Sequence, residues 1–248
     1  MRKWLSYSVL FMLVYVVFLL ATLPAKLLLS YVKLPANVQV IGVSGTIWHT
    51  NIEQLSTPQV KVNAIHANLS ISSLLRVKPS IDLNFGGGLV DGPEGSARVS
   101  GLLHALTVSD ANISIPAQTI AQQLVLPVEV NAQGLVQLKL AKFVIGEPVC
   151  QQLTGQLIWQ SAGVDAYEQS ITLGNLSAQL TCQQGMLVAK VNANNVLGLT
   201  FTAYLRNTNQ LTGNGYLKPA ASFPTPLQQI LPFLGNPDRQ GRYRLTLP

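Results

Sequence analysis

Beyond Ala25 the hydrophobic pattern of this chain has a period of two, and that constrains the fold more than any motif. Ile81, Leu83 and Phe85 alternate with Asp82 and Asn84, and Val136, Leu138 and Leu140 alternate with Gln137 and Lys139. Leu176, Ala178, Leu180 and Cys182 alternate with Ser177, Gln179 and Thr181. The same spacing carries Ile65, Ala67, Leu69 and Ile71, then Leu199, Phe201, Ala203 and Leu205, and last Tyr243, Leu245 and Leu247. Successive side chains of a strand point to opposite faces, so each run predicts a half-buried strand. Turn signals fall at Gly86-Gly87-Gly88, Asp91-Gly92-Pro93, Ser161-Ala162-Gly163 and Gly213-Asn214-Gly215. Helical patterns are short: PAQTIAQQLVLP from Pro116, with Ile120 and Leu124 on one face and Pro127 closing it; PTPLQQILPFLG from Pro224; and ISSLLRV around Leu74. They predict covers for the ends or edges of a sheet.

The N-terminus is different. After Met1, Arg2 and Lys3, residues 4–25 carry no charge, and as a helix they would reach about 33 Å, enough to cross a bilayer. A cleaved signal peptide would have a shorter apolar core and small residues at a cleavage site; the length here and the missing A-x-A pair favour an uncleaved signal anchor. Trp4, Leu10, Leu13 and Leu20 are its expected membrane residues, with Trp4, Tyr7 and Tyr31 suited to the interfaces. The expected layout is a cytoplasmic stub (1–3), a transmembrane anchor (4–25) and a β-rich body (26–248) outside the membrane. Lys26 and Lys33 nearly balance Arg2 and Lys3, so the positive-inside count alone does not fix the orientation.

The cysteines bear on it. Cys150 and Cys182 are the only two, and an even number behind a membrane anchor suits an oxidising compartment and a disulfide. The other reading is two separate buried thiols. Their spacing suits neither a zinc site nor a Cys-x-x-Cys redox motif.

Composition narrows the functional classes. Charged residues make up only 10% of the 248 residues, and polarity comes mostly from Asn, Gln, Ser and Thr, a mix at home in extracytoplasmic β-proteins. The net charge is +6, but the basic residues are scattered singly, so no nucleic-acid partner is expected. His49, His66 and His104 are far apart in sequence, the ten carboxylates form no close pair, and Ser44 lacks the glycine of a nucleophile elbow. Neither a catalytic residue, a metal nor a cofactor is expected.

Both tryptophans of the body follow a glycine: Gly45-Thr-Ile-Trp48 and Gly155-Gln-Leu-Ile-Trp159. A glycine there marks a turn or a close backbone approach, and the tryptophan a large apolar anchor at the start of a strand. In both places alternating strands follow, which suggests two related β units, about 36–130 and 131–248. Trp48 and Trp159 are then core anchors at corresponding places, with partner contact as the alternative.

The segments GVSGTIWH (Gly42–His49), LNFGGGLVDGPEGSARVSG (Leu83–Gly101) and LPFLGNPDRQGRYRLTL (Leu231–Leu247), in this order behind one apolar anchor, resemble the type II secretion system protein N family. The resemblance implies a cell inner-membrane protein with a periplasmic body, accessory to the export of folded proteins across the outer membrane, and partnered by other components of that system. It also implies a distant relation to AsmA-like envelope proteins, whose elongated sheets carry an apolar groove associated with lipid. The expected fold is therefore mainly β: an elongated, curved antiparallel sheet of two weakly repeated halves, with a few short helices, behind one transmembrane helix. Two functions stand side by side, action through protein–protein contacts and binding or transport of a lipid or other apolar ligand.

Overall fold

A computed structural model describes residues 2–31, 35, 37–58, 60–76, 78–87, 92–101, 106–123, 131–166, 169–207, 210–229 and 231–247. Helix α1 (Arg2–Thr22) is followed by α2 (Ala25–Tyr31). Thirteen strands then form one sheet: β1 (Gln39–Gly45), β2 (His49–Ser56), β3 (Lys61–Leu69), β4 (Ser80–Phe85), β5 (Glu94–Ser100), β6 (Thr107–Pro116), β7 (Asn131–Ile145), β8 (Cys150–Ala166), β9 (Gln169–Gln183), β10 (Met186–Val191), β11 (Leu199–Asn207), β12 (Gln210–Leu217) and β13 (Tyr243–Leu247). Every strand pairs antiparallel with its neighbours in sequence, from β1 to β13 without a crossover. At about 4.8 Å per strand the twelve steps span about 58 Å.

Pairing sorts the residues by polarity. One row crosses all thirteen strands: Ser44, Asn51, His66, Asn84, Ser96, Asn112, Lys139, Gln156, Gln179, Lys190, Thr202, Asn214 and Thr246. Every member is polar. On the opposite face a row runs Gly95, Ile113, Leu138, Leu157, Ala178, Val191, and another runs Ala111, Leu140, Gly155, Leu180, Ala189, Ala203, Gly213, Leu247. Register is thus fixed at every step, because a slip by one residue would exchange the two faces.

Short helices lie at strand ends, as expected: α3 (Ile71–Leu75) between β3 and β4, α4 (Ala117–Ala121) after β6, and α5 (Thr225–Gln228) with a 3₁₀ turn (Leu231–Leu234) between β12 and β13. Leu124, Pro127 and Ile230 lie outside the described residues, as do Gly88 and Asp91. Ile71 does not continue the alternation of β3; it opens α3 and is exposed.

Two expected turns are strand interior instead. Ser161-Ala162-Gly163 lies inside β8, where Ser161 takes a positive φ of 47° and the register shifts between Trp159 and Ala162. It is a bulge, which bends and twists a sheet without ending a strand. Gly213-Asn214-Gly215 lies inside β12. There a Cβ on Gly213 would come within 2.6 Å of the Phe201 ring, and one on Gly215 would meet the Thr200 carbonyl, so these glycines make room for an aromatic side chain.

Among the described residues few are buried. The cluster Ala162, Ile171 and Leu173 sits where β8 and β9 carry their bulges, with Trp159, Val164, Leu176, Leu197 and Leu227 packed against it. The accessible surface is 17023 Å², against about 10,700 Å² for a compact monomer of this mass. α1 and the two open faces of a single-layer sheet both contribute to the excess.

Candidate functional site: an uncovered apolar face and its link to α1

Among the described residues, no second sheet or long helix lies over the apolar face. Its Leu, Ile, Val and Phe side chains include the half-buried Leu83, Ile113, Leu138, Leu157 and Phe201. From β5 to β13 such a face offers dispersion and desolvation, with few hydrogen-bonding side chains. Its chemistry is that of an apolar binding surface.

The opposite face is a solvated polar lattice. His66 Nδ1 donates to Asn51 Oδ1 at 2.7 Å, and His49 Nδ1 to Asn68 Oδ1 at 2.8 Å. Sequence separation had set these histidines apart; antiparallel pairing of β2 with β3 makes them diagonal neighbours. His104 lies outside the described residues. Arg98 Nε donates to Asp82 at 2.6 Å and Nη1 approaches Asp110 at 3.4 Å, and the hydrogen bond to Asp82 raises the guanidinium pKa further. Asp165 is held below the usual carboxylate range, first by its hydrogen bond with Ser170 and then by Gln133. No group of three or more His, Cys, Asp or Glu able to hold a metal occurs among the described residues.

The two tryptophans occupy different settings. Trp48 lies in the tight turn between β1 and β2, closed by Thr46 N to His49 O at 3.1 Å and His49 N to Thr46 O at 3.2 Å. Its indole Nε1 donates to the Leu20 carbonyl of α1 at 3.0 Å. Ile47 N donates to Leu23 O at 3.0 Å, and Pro24 forms a bridge with Thr46. The end of α1 is thereby tied to the first hairpin through three consecutive residues. Trp159 sits in the middle of β8, paired with Val136 and Leu176, and its Nε1 donates to Gln133 O at 2.8 Å. No sequence signal pointed to the tie; it pairs Leu23 and Pro24 with residues more than twenty positions on.

Cys150 and Cys182 form a disulfide, with 2.08 Å between sulfurs and 6.1 Å between Cα atoms. They lie on the apolar face, paired with Ile145 and Leu187 respectively. Gly185 O also accepts from Val149 N and Cys150 N, each at 3.0 Å, so the β7–β8 loop is fastened to the β9–β10 turn.

Of the expected membrane residues, Leu10, Leu13 and Leu20 lie along α1 with exposed side chains; Trp4 is within α1, whose side chains are described from Tyr7 onward. Among the described residues no helix is long and apolar enough to cross a membrane.

Fold and face together define a class: a single-layer amphipathic meander, tied through its first hairpin to an apolar N-terminal helix. The chain belongs to the type II secretion system (T2SS) protein N family, whose description matches residues 36–246. It is 34% identical over 252 residues to a type II secretion system protein N of Aeromonas hydrophila, covering 99% of this chain and 98% of the relative. It is 30% identical over 244 residues to the protein of that name from Vibrio cholerae serotype O1, covering 98% and 97%. The Klebsiella pneumoniae protein of that name is 26% identical over 245 residues. No solved structure matches the chain. Family membership makes this a component of the type II secretion system.

Proposed function

We propose that the chain is a single-pass inner-membrane protein, with α1 as an uncleaved anchor and the sheet in the periplasm, and that it assists export of folded proteins by contacting other components of the system. Support for the anchor comes from α1 itself: every described side chain from Tyr7 to Thr22 is exposed, and Val, Leu, Phe, Met and Tyr surround the helix on all sides. Such a helix requires a covering, and lipid supplies one. The disulfide suits an oxidising compartment for the body. The observation that carries the interaction reading is the apolar face, which leaves a component of a multiprotein apparatus with a large surface to be covered by a neighbour.

The same face favours a second reading, binding of a lipid or other apolar ligand, because its rows continue from β5 to β10 and from β6 to β13 without a charged side chain. Deleting the gene and scoring secreted proteins in the medium against those retained in the periplasm tests the export role. Loss rescued by the intact chain supports it, and unaltered secretion refutes it. Native mass spectrometry of the full chain released from envelope extract tests the second reading: adducts of lipid mass support it, bare protein refutes it.

A further inference from the structure

The two outer edges of the sheet are not alike. Each outer strand has a short helix packed on it, α2 on β1 and the 3₁₀ turn Leu231–Leu234 on β13, but only at the end of β1 does further backbone, Leu23–Pro24, occupy the sheet. β13 pairs with β12 through five consecutive residues with no register shift, and no strand lies beyond it among the described residues. It carries neither a proline nor a bulge, two of the devices that blunt an edge. Beside it runs the 3₁₀ turn Leu231–Leu234, where Phe233 is 88% exposed, the highest value among the exposed large hydrophobic residues. Charge around this edge is one-sided. Residues 210–247 hold four basic side chains, Lys218, Arg239, Arg242 and Arg244, against one acidic, Asp238. Asp238 is engaged by Arg242, which also stacks on Tyr216 at 4.4 Å. Arg239 and Arg244 are exposed and have no ion pair among the described residues.

We propose that β13 is a strand-addition site: an extended segment of another secretion-system protein joins the sheet as a fourteenth strand, with carboxylates toward Arg244 and Arg239 and an apolar contact on Phe233. Unpaired backbone groups supply affinity in this mode, and the side chains of alternate residues supply the selection. A second copy of this chain would bring the same cluster of cations against itself, which opposes self-pairing. The proposal rests on the protein-contact reading of function and names the edge and the partner chemistry.

The test places a photo-crosslinking amino acid at Phe233, at Thr246 on β13, and at Ile41 on β1, in the full chain within intact envelopes, and sequences the captured peptides. Expected is one segment of a second secretion component captured from both Phe233 and Thr246 but not from Ile41, alternating acidic and apolar residues. Arg239→Glu with Arg244→Glu lowers that yield about tenfold, the effect of roughly 1.4 kcal/mol. Both arginines are exposed, so unchanged disulfide formation and protease resistance serve to report an intact fold. Capture of another copy of this chain, or of lipid alone, from the β13 positions overturns the proposal. Capture of secretion components from Ile41 only overturns the edge but leaves the protein-contact reading standing; no protein captured from any position overturns both.

Discussion

Gly45 and Gly155 stand in similar words of the sequence for different physical reasons. Gly45 has a φ of 87° at the β1–β2 turn, and a Cβ there would meet the His49 carbonyl. Gly155 lies within β8, where a Cβ would come within 2.6 Å of the Leu140 side chain and 2.8 Å of the Lys139 carbonyl. The sequence allowed both roles but not their assignment, since a turn and a close approach select the same residue. Gly45→Ala is expected to cost about 2 kcal/mol, the left-handed penalty with the clash added. Gly87→Ala, where nothing lies within 4 Å, is expected to stay within about 0.5 kcal/mol; urea midpoints of the full chain in detergent separate the two. Asp238 makes a prediction in pH. Its hydrogen bond with Arg242 comes first among the causes that hold its pKa below the usual value, and the Arg242 and Gln240 amides add to it. A depressed folded pKa gives stability that is present above the unfolded value of about 3.9 and is lost as pH falls through the lower folded value. Amide exchange at Gln240 and Arg242, corrected for intrinsic rates, is therefore expected to accelerate below about pH 4, and Asp238→Asn to produce the acceleration at neutral pH.

At the scale of elements, the strands were legible wherever alternation ran unbroken, as in β4, β9 and β11. They were misread where a local irregularity sits inside a strand. Ser161 adopts a positive φ inside β8, and the Ser-Ala-Gly step that signals a turn does not distinguish a turn that ends a strand from a bulge that bends one. The disulfide was legible as a pairing, but not its location. It joins the first residue of β8 to the penultimate residue of β9, across the open end of the β8–β9 hairpin, beside the contact between the β7–β8 loop and the β9–β10 turn. Replacing both cysteines by serine is expected to cost roughly 3 to 4 kcal/mol, from the loop closed across a separation of 32 residues. The first exchange to accelerate would be at Val149 and Cys150, whose amides share the Gly185 carbonyl; loss spread evenly over the sheet would contradict this account.

For the whole molecule, the elongated sheet was expected from the family resemblance and its strands from periodicity, and the pairing adds what periodicity lacks, the continuity of rows from strand to strand. That continuity makes the two faces separately testable. Leu138→Glu with Leu157→Glu places two charges side by side on the apolar face, whereas Lys139→Glu with Gln156→Glu alters the polar row beside it. Export, or lipid retained through purification, is expected to fall with the first pair and to persist with the second; equal effects would deny the apolar face its role. The meander has one more consequence, for the order of events by which the protein is made. Since every strand pairs only with its neighbours in the chain, no ladder waits for a distant partner, and contact formation is local throughout. Once the first hairpin has closed on α1, each new strand finds its template already in place. The sheet can therefore grow outward from its tethered end as the polypeptide emerges, and β13 is the last edge to be completed.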